Sequence, residues 1–536
     1  MVILLFAVFQ EYIMNTNNKK LFQNPVLCGF YPDPSVCRVN DMYYLVTSSF
    51  TYFPGIPIFQ STDLINWKQI GHAITRKSQA DFEGLQHSEG IFAPVIRYDN
   101  GIFYIITTNV PRGGNFIVTA SSPEGPWSEP YFIHDAPGID PCLFFDDNGK
   151  VYYTGTRPAP EGEKYNGNWE IWLQEIEMSN VTLIGKKYSL WRGALLDCEW
   201  PEGPHLYKIN TYYYLLISEG GTGHFHALSI ARSKDITGPY IGFPGNPILT
   251  HRHLGKKYPI VNTGHGDIIE TQNNEWWLVL LASRPYGGYY RNLGRETFLA
   301  PVEWEDGWPV ISPGTGKLEF SYKKPNLRKY VFEKQSSIDN FDSEKLGMQW
   351  NFIRNPDNSN WSLSRKKGFL SLILSAIKIS ENKNPNFIGR RQQHMNFSSS
   401  CLMEFSPKNS GENAGMVLFQ NEKYHFRFVV SLIDDQQYIQ LIKCNNLEEI
   451  TIRQEVYSQN NIILKITSRG QDYNFYYGEQ TLHQKIFAEN IDGRMLSTDI
   501  AGGFVGTYIG MYAAGNGKHC ETYAHFDWFE YKENIW

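Results

Sequence analysis

A hairpin-forming segment that recurs five times constrains the fold of this chain more than any other feature. Each copy consists of an apolar strand, a polar turn such as Asn100-Gly101, and a second strand rich in aromatic and β-branched residues. Successive copies start 60, 47, 62 and 63 residues apart, which suits a four-stranded sheet with its loops. Regular repetition of this kind in an all-β sequence predicts a β-propeller with five blades. The copies begin at Asp33, Ala93, Asp140, Glu202 and His265.

The propeller geometry predicts that three acidic side chains meet on its axis. The innermost strands of all blades start near the axis on one face, so the first residues of the copies converge there. Asp33, Asp140 and Glu202 are three of these five residues. An aspartate before a proline is also a common turn residue that only shapes a loop. Because Ala93 and His265 fill the other two positions, the turn itself requires no acid, and a shared chemical role is favoured.

The chain is long enough for at least two domains, and we expect both to be all-β. The five copies place a catalytic propeller at residues 24–320, followed by a basic, irregular linker at 321–337. Many short strand-forming segments without the repeat then predict a jelly-roll-like β-sandwich at residues 338–536. Residues 1–23 are expected to be a disordered extension or the product of a misassigned start, since Met14 precedes a polar segment.

Charge and cysteine content narrow the partners and the compartment. The 49 basic and 55 acidic residues give a net charge of −6 without long runs of either sign, so no nucleic acid or membrane partner is expected. Seven scattered cysteines without metal-ligand spacing predict neither a disulfide framework nor a metal site, and we expect no cofactor. The apolar run at residues 1–9 lacks a basic start and a cleavage site. A cytoplasmic protein is therefore expected, with secretion as the alternative.

Three acids on the axis of an aromatic-rich propeller suggest glycoside hydrolysis. That reaction needs one carboxylic acid to protonate the leaving oxygen and one carboxylate to activate water or attack carbon. Asp33, held between two prolines, suits a rigid base, whereas the longer Glu202 can reach a leaving group. The charge of Asp140 beside the proton donor would raise the pKa of that donor and keep it protonated near neutral pH.

Two other residues are candidates for substrate contacts. His265 starts the fifth copy, so we expect it on the axis, where a contact to sugar or ordered water and a structural role fit the sequence equally. A metal there is less favoured because no second ligand is evident. Arg295 follows the fifth copy in a glycine-flanked loop near Arg291. Most arginines are surface charges, but this setting favours a substrate clamp.

Five blocks of the sequence together carry a family resemblance. They read NPVLCGFYPDPSVCRVNDMYYLVTSSFTYFPGIPIFQSTDLINW, GIDPCLFFDDNGKVYY, WPEGPHLYK, NTGHGDIIETQNNEWWLVLLASRP and LGRETFLAPVEW. In order and spacing they resemble glycoside hydrolase family 43, in particular its β-xylosidases with a C-terminal β-sandwich, over residues 24–536. The resemblance implies an inverting mechanism with Asp33 as general base, Asp140 as the residue that modulates the pKa, and Glu202 as general acid.

The resemblance also implies substrate-binding residues. Arg295 matches the substrate-contacting arginine of the family, and Phe50 matches an aromatic wall of its xylose pocket. Phe504 matches a phenylalanine by which the sandwich closes that pocket. Phe92 stands where relatives usually have tryptophan, which is expected to loosen stacking and leaves the fine substrate preference open.

Residues and resemblance together predict an exo-acting β-xylosidase that releases xylose from the non-reducing ends of β-1,4-xylo-oligosaccharides. An enzyme that acts on α-L-arabinofuranosides, alone or in addition, is the nearest alternative. A non-catalytic carbohydrate-binding protein is a more remote alternative, because all three acids are present. A homo-oligomer is compatible with the sequence.

Overall fold

A computed structural model describes residues 20–333 and 335–534. Within them the chain forms strands β1 to β40 in chain order, one short α-helix, Thr498–Ala501 (α1), and two single-turn 3-10 helices, Arg252–Leu254 and Arg494–Leu496. None of the helices in this part of the chain is long and apolar enough to cross a membrane. The extension predicted for residues 1–23 lies outside the described residues except for its last four, of which Leu21–Gln23 form β1.

Five antiparallel sheets of four or five strands form the propeller. The first blade contains Ser35–Val39 (β2), Met42–Val46 (β3), Gly55–Ser61 (β5) and Lys68–Ile74 (β6), with the short strand Tyr52–Phe53 (β4) between β3 and β5. The second contains Gly90–Ile91 (β7), Val95–Asp99 (β8), Ile102–Val110 (β9), Gly114–Ala120 (β10) and Tyr131–Phe132 (β11). The third contains Ile139–Phe145 (β12), Val151–Pro158 (β13), Trp169–Glu177 (β14) and Thr182–Trp191 (β15). The fourth contains Glu202–Ile209 (β16), Tyr212–Glu219 (β17), Ala227–Ser233 (β18), Ile241–Gly242 (β19) and Leu249–Thr250 (β20). The fifth contains Val261–Glu270 (β21), Trp276–Ser283 (β22), Glu296–Glu305 (β23) and Trp308–Ile311 (β24).

The five inner strands close into a ring. Each of β2, β8, β12, β16 and β21 contacts the next, and β21 contacts β2 again. The two ends of the propeller are tied together beside this ring, because β1 pairs with Ser321–Lys323 (β25). The Asn24 side chain adds hydrogen bonds of 2.9 Å to both the N–H and the carbonyl of Leu299. The ring confirms the predicted five-bladed propeller.

Two antiparallel sheets form the second domain. Their strands are Ile338–Asp339 (β26), Asn351–Ile353 (β27), Trp361–Ser362 (β28), Leu370–Ile373 (β29), Phe387–Arg391 (β30), Asn396–Phe405 (β31), Asn413–Asn421 (β32), Tyr424–Ile433 (β33), Gln436–Asn445 (β34), Glu448–Val456 (β35), Asn461–Arg469 (β36), Asp472–Gly478 (β37), Lys485–Asp492 (β38), Tyr508–Ala514 (β39) and Tyr523–Glu533 (β40). One sheet has the order β28-β29-β40-β31-β36-β37-β38, with β26 added to β40, and the other has the order β35-β34-β33-β32-β39-β30-β27-β4. The predicted β-sandwich is thereby confirmed.

The two domains share a buried boundary. Strand β4 from the propeller segment is the edge strand of a sandwich sheet, with Phe53 opposite Phe352. Next to this pair, the rings of Tyr52 and Tyr508 stack with their centroids 3.7 Å apart. Arg354 of the sandwich, whose side chain is 1% exposed, donates to the Leu85 carbonyl of the propeller. The sandwich is therefore fixed closely enough to contribute side chains to the propeller face.

Candidate active site

A pocket of about 510 Å³ opens where the five inner strands begin. It is lined by the three acids, by aromatic residues of both domains and by a glycine-rich loop. The lining residues are Asp33, Phe50, Phe92, Ala93, Ile139, Asp140, Trp169, Glu199, Trp200, Glu202, Gly220, Gly221, Thr222, Gly223, Phe225, His265, Arg295 and Phe504. All eight residues that the sequence assigned to catalysis or substrate contact thus lie around one cavity.

Unusual backbone conformations aim the acids into this pocket. Asp33, just before β2, has a φ of 54°, and Asp140 in β12 has a φ of 52°. Pairing with the next strand shifts register around Asp140 and again just after Glu202. Such a bulge turns a side chain out of the regular alternation, while a positive φ costs a residue with a Cβ about 1–2 kcal/mol. Strain of this kind is typical of functional sites.

Asp33 is held in its charged form. Its carboxylate is buried, with 5% of the residue exposed. Oδ1 accepts a hydrogen bond of 2.6 Å from Arg295 Nη1, and Oδ2 accepts one of 2.6 Å from Ser48 Oγ. Burial alone would raise the pKa of Asp33, but Arg295, His265 and the Ser48 hydroxyl together lower it below the ordinary value of 3.8. The carboxylate therefore suits the role of a base.

The surroundings of Glu202 favour its protonated form instead. Burial raises the pKa of Glu202 well above its ordinary value of 4.5, and the negative charges of Asp140 and Asp33 raise it further. Burial and the charge of Asp33 also raise the pKa of Asp140, against the lowering effect of His265 and the Gly203 N–H. That N–H donates to Asp140 Oδ2 over 3.1 Å, which ties the two acidic strands together. The pocket thus pairs a carboxyl group whose surroundings favour the charged form with one whose surroundings favour the neutral form.

His226 contacts Glu202 and was not found from the sequence. Its Nδ1 lies 3.1 Å from the Asn262 carbonyl, which can only accept, so Nδ1 carries the proton. Burial lowers the pKa of His226 to about 3, so the ring is neutral and Nε2 presents a lone pair. Nε2 lies 3.8 Å from Glu202 Oε1, and neither atom has a hydrogen-bond partner among the described residues. A Cβ on Gly264 would lie 2.2 Å from this ring, so glycine is required there.

Three phenylalanines and Arg295 form one wall of the pocket. The ring of Phe50 lies 5.2 Å from Phe92 and 5.9 Å from Phe504, measured between centroids. The Arg295 guanidinium lies 5.8 Å from the ring centroids of both Phe50 and Phe504. Phe504 belongs to the sandwich, in the segment between α1 and β39. The wall therefore exists only when both domains are in place.

His265 lies in the pocket, whereas Arg291 lies outside it. The ring of His265 reaches the pocket, with Nδ1 3.8 Å from Asp33 Oδ1, and it packs so closely on Gly203 that a Cβ there would lie 3.0 Å away. Arg291 does not enter the pocket. It forms an ion pair of 2.8 Å with Asp499 of α1, so it anchors the segment that leads to Phe504 instead of clamping substrate.

Arg97 fills the axis next to the pocket and was also missed by sequence reasoning. From the second blade it reaches Ser35, Cys142, His205 and Asp267, one residue on each of the other blades. Burial would raise the pKa of Asp267, but Arg97, His205 and the hydrogen bonds from Tyr207 and Ser35 together lower that pKa to about 2. The axis is thus held by a buried ion pair of 3.1 Å.

A group of residues with metal-ligand chemistry lies in the sandwich. His425, Cys444 and Glu449 bring one potential ligand atom each within 4.8 Å of the others. The Glu449 carboxylate is already paired with the guanidinium of Arg427. None of the three residues lines the pocket, so the group offers nothing to the reaction there.

Comparison with known proteins gives the same assignment for both domains. The model of glycosyl hydrolases family 43 matches residues 22–309. The model of the beta xylosidase C-terminal Concanavalin A-like domain matches residues 338–532. A Butyrivibrio fibrisolvens protein named xylosidase/arabinosidase is 46% identical over 516 residues, 95% of this chain and 99% of its own.

Two further relatives also match this chain over nearly its whole length. A Bacteroides ovatus protein named non-reducing end alpha-L-arabinofuranosidase BoGH43B is 39% identical over 520 residues, 96% of this chain and 95% of its own. The solved structure of xylan beta-1,4-xylosidase from Bacillus halodurans is 33% identical and superposes with a TM-score of 0.90 over 96% of this chain and 100% of its own.

Proposed function

The chain belongs to glycosyl hydrolases family 43, and we propose that it removes single xylose units from the non-reducing ends of short β-1,4-xylo-oligosaccharides with inversion at the anomeric carbon. The observation that carries this proposal is the contrast between two carboxyl groups of one pocket. The pKa of Asp33 is lowered by its partners, whereas the pKa of Glu202 is raised by burial and by neighbouring charge. Hydrolysis by single displacement requires that pairing of a base and an acid.

Each acid then has one role. Glu202 donates its proton to the glycosidic oxygen as the bond from that oxygen to the anomeric carbon breaks. Asp33 takes a proton from the water that attacks the same carbon from the opposite face. After turnover Asp33 is protonated and Glu202 is ionised, and exchange with solvent restores both. Asp140, hydrogen-bonded to the Gly203 N–H, keeps the pKa of its neighbour Glu202 high by its charge.

The wall beside Asp33 favours action on a chain end. Arg295 and the rings of Phe50, Phe92 and Phe504 enclose that side of the pocket. Aromatic faces pack well on the C–H faces of sugar rings, and a guanidinium can donate to sugar hydroxyls. An enclosed end of this kind suits one terminal pentose better than the middle of a polysaccharide.

α-L-Arabinofuranosides are the second substrate class that we propose. The relatives from Butyrivibrio fibrisolvens and Bacteroides ovatus carry arabinosidase or arabinofuranosidase in their names. Phe92 is smaller than tryptophan, so the wall leaves more room for a ring of another shape. A preference for one pentose over the other then depends on how the wall packs around it.

Rates on two aryl glycosides and one oligosaccharide test the proposal. We expect release of p-nitrophenol from the β-D-xylopyranoside, slower release from the α-L-arabinofuranoside, and conversion of xylotriose to xylose and xylobiose in equal initial amounts. The Asp33→Asn variant should lose at least 100-fold in kcat, as removal of a general base does. Asp41→Asn, at the exposed turn of the same hairpin, is the matched control and should retain native rates. No turnover of any of these substrates would refute the proposal, and a faster arabinofuranoside rate would reverse the two substrate classes.

A further inference from the structure

Trp200 is a bulky pocket residue with a strained backbone, and the proposed mechanism gives it no role. It lies two residues before Glu202 and lines the same cavity. Its φ is 44°, a left-handed conformation that a bulky residue rarely adopts and that costs about 1–3 kcal/mol. The Trp200 N–H donates to the Gly167 carbonyl over 2.8 Å, which helps to hold this conformation. The chain therefore tolerates an unfavourable backbone conformation at Trp200, and this conformation directs the indole towards the pocket.

Two glycines fix the indole itself. A Cβ on Gly167 would lie 2.8 Å from the ring carbons Cδ2 and Cε2, and a Cβ on Gly221 would lie 2.9 Å from Cε3. Both distances are shorter than real contacts to a Cβ, so only glycine lets these two loops approach the ring. Trp200 nevertheless keeps part of its surface accessible and lines the pocket. A large apolar side chain is thus held rigidly and remains partly accessible from the pocket.

Phe225 extends the apolar surface to the rim of the pocket. It is 63% exposed, although it belongs to the same lining. Next to it, a Cβ on Gly220 would lie 2.4 Å from the Phe225 carbonyl oxygen, so a glycine is also required there. An exposed aromatic side chain at a pocket mouth is typical of a binding surface and contributes nothing to a core.

The side of the pocket on which these residues lie identifies their ligand. Under the proposed function, the leaving group departs towards Glu202, and the remaining sugar rests on the segments around it. Trp200 precedes Glu202 by two residues, and the Gly220-Gly221 loop packs on both Trp200 and Phe225. The phenylalanine wall instead adjoins Arg295, which binds Asp33. We propose that Trp200, with Phe225 at the rim, is a stacking platform for the second sugar ring of an oligosaccharide. The platform makes the enzyme selective for sugar aglycones over small ones.

Two substrates with poor leaving groups distinguish binding of the second sugar ring from cleavage of the glycosidic bond. Xylobiose places a pyranose ring on the platform, whereas methyl β-D-xyloside places a single methyl group there. We expect Trp200→Gly to lower the ratio of kcat/KM for xylobiose to kcat/KM for methyl β-D-xyloside by about ten-fold, the range of one aromatic contact. Glycine adopts the φ of 44° without strain, so this variant should fold. Phe225→Ala removes an exposed ring and should lower the same ratio by a few-fold.

The control is Tyr131→Ala, which removes an aromatic ring that is 50% exposed on β11 outside the pocket. It should leave the ratio unchanged. A native ratio in both Trp200→Gly and Phe225→Ala would overturn the platform while leaving the proposed function intact. Absence of xylobiose hydrolysis by the native enzyme would instead refute the proposed function on which the platform rests. A lower ratio in Phe225→Ala supports the platform even if Trp200→Gly does not fold.

Discussion

Removal of one hydroxyl group beside Asp33 should move the acid limb of the pH profile. Ser48 Oγ donates to Asp33 Oδ2 over 2.6 Å, and both residues are buried. Ser48 does not line the pocket, so Ser48→Ala leaves the substrate contacts in place. Arg295 still pairs with the other carboxylate oxygen in this variant. The perturbation is therefore confined to the charged state of one carboxylate.

The size and sign of the shift follow from that hydrogen bond. A hydrogen bond to a charged group contributes about 1.5–3 kcal/mol, and about 1.4 kcal/mol corresponds to one pKa unit. Loss of the bond should raise the pKa of Asp33 by roughly 1–2 units. The base must be ionised, so activity falls as the pH falls through this pKa. The acid limb of the variant should accordingly lie roughly 1–2 pH units above that of the native enzyme, with the basic limb unchanged.

Initial rates at low substrate concentration across the pH range give kcat/KM for this comparison. Thr47→Val is the matched control, because Thr47 is buried next to Ser48 and its Oγ1 has no hydrogen-bond partner within residues 20–333 and 335–534. Its acid limb should coincide with that of the native enzyme. If the limb of Ser48→Ala also coincides with the native one, Asp33 is not the group that titrates there, and the assignment of the base is wrong.

Three other substitutions test separate parts of the site. Glu202→Gln should lower kcat on xylobiose by about 100- to 10,000-fold. It should retain most activity on β-D-xylopyranosyl fluoride, because the fluoride leaving group needs no proton. Equal losses on both substrates would contradict the role of Glu202 as the acid. Asp499→Asn weakens the ion pair that anchors the segment carrying Phe504, so steady-state kinetics should show a KM raised several-fold with kcat nearly native, and a loss confined to kcat would argue against this anchoring. Gly203→Ala forces a Cβ to within 3.0 Å of the His265 ring at a φ of 57° and should lower the thermal unfolding temperature, whereas an unchanged temperature would show that the ring can move away.

The repeat predicts the propeller and the three acids because both depend on local sequence. Each hairpin is encoded within about 20 residues, and alignment of the copies makes Asp33, Asp140 and Glu202 equivalent before any contact is known. The structure adds the reason that these side chains leave the regular alternation, namely positive φ values and register shifts. The alternation of apolar and polar residues in the sequence does not reveal these positive φ values and register shifts, because a strand with a bulge shows a similar pattern to a strand without one.

The remaining parts of the site depend on contacts between distant segments. His226 directly precedes β18, the third strand of the fourth blade, and only the fold brings it to Glu202. The pairing of Phe53 with Phe352 joins the domains across almost 300 residues, and no local pattern predicts it. Trp200 offered a signal, since an aromatic residue two positions from an axial acid falls near the pocket. Its strained backbone and glycine contacts required the structure.

Proton NMR of the anomeric signals during the first minutes of xylobiose hydrolysis tests the central claim most directly. A base that activates water on the face opposite the acid inverts the anomeric carbon. The account predicts that α-xylose appears first and that β-xylose follows by mutarotation. If β-xylose appears first, the reaction passes through a covalent intermediate, and the assignment of Asp33 as a base acting on water is contradicted.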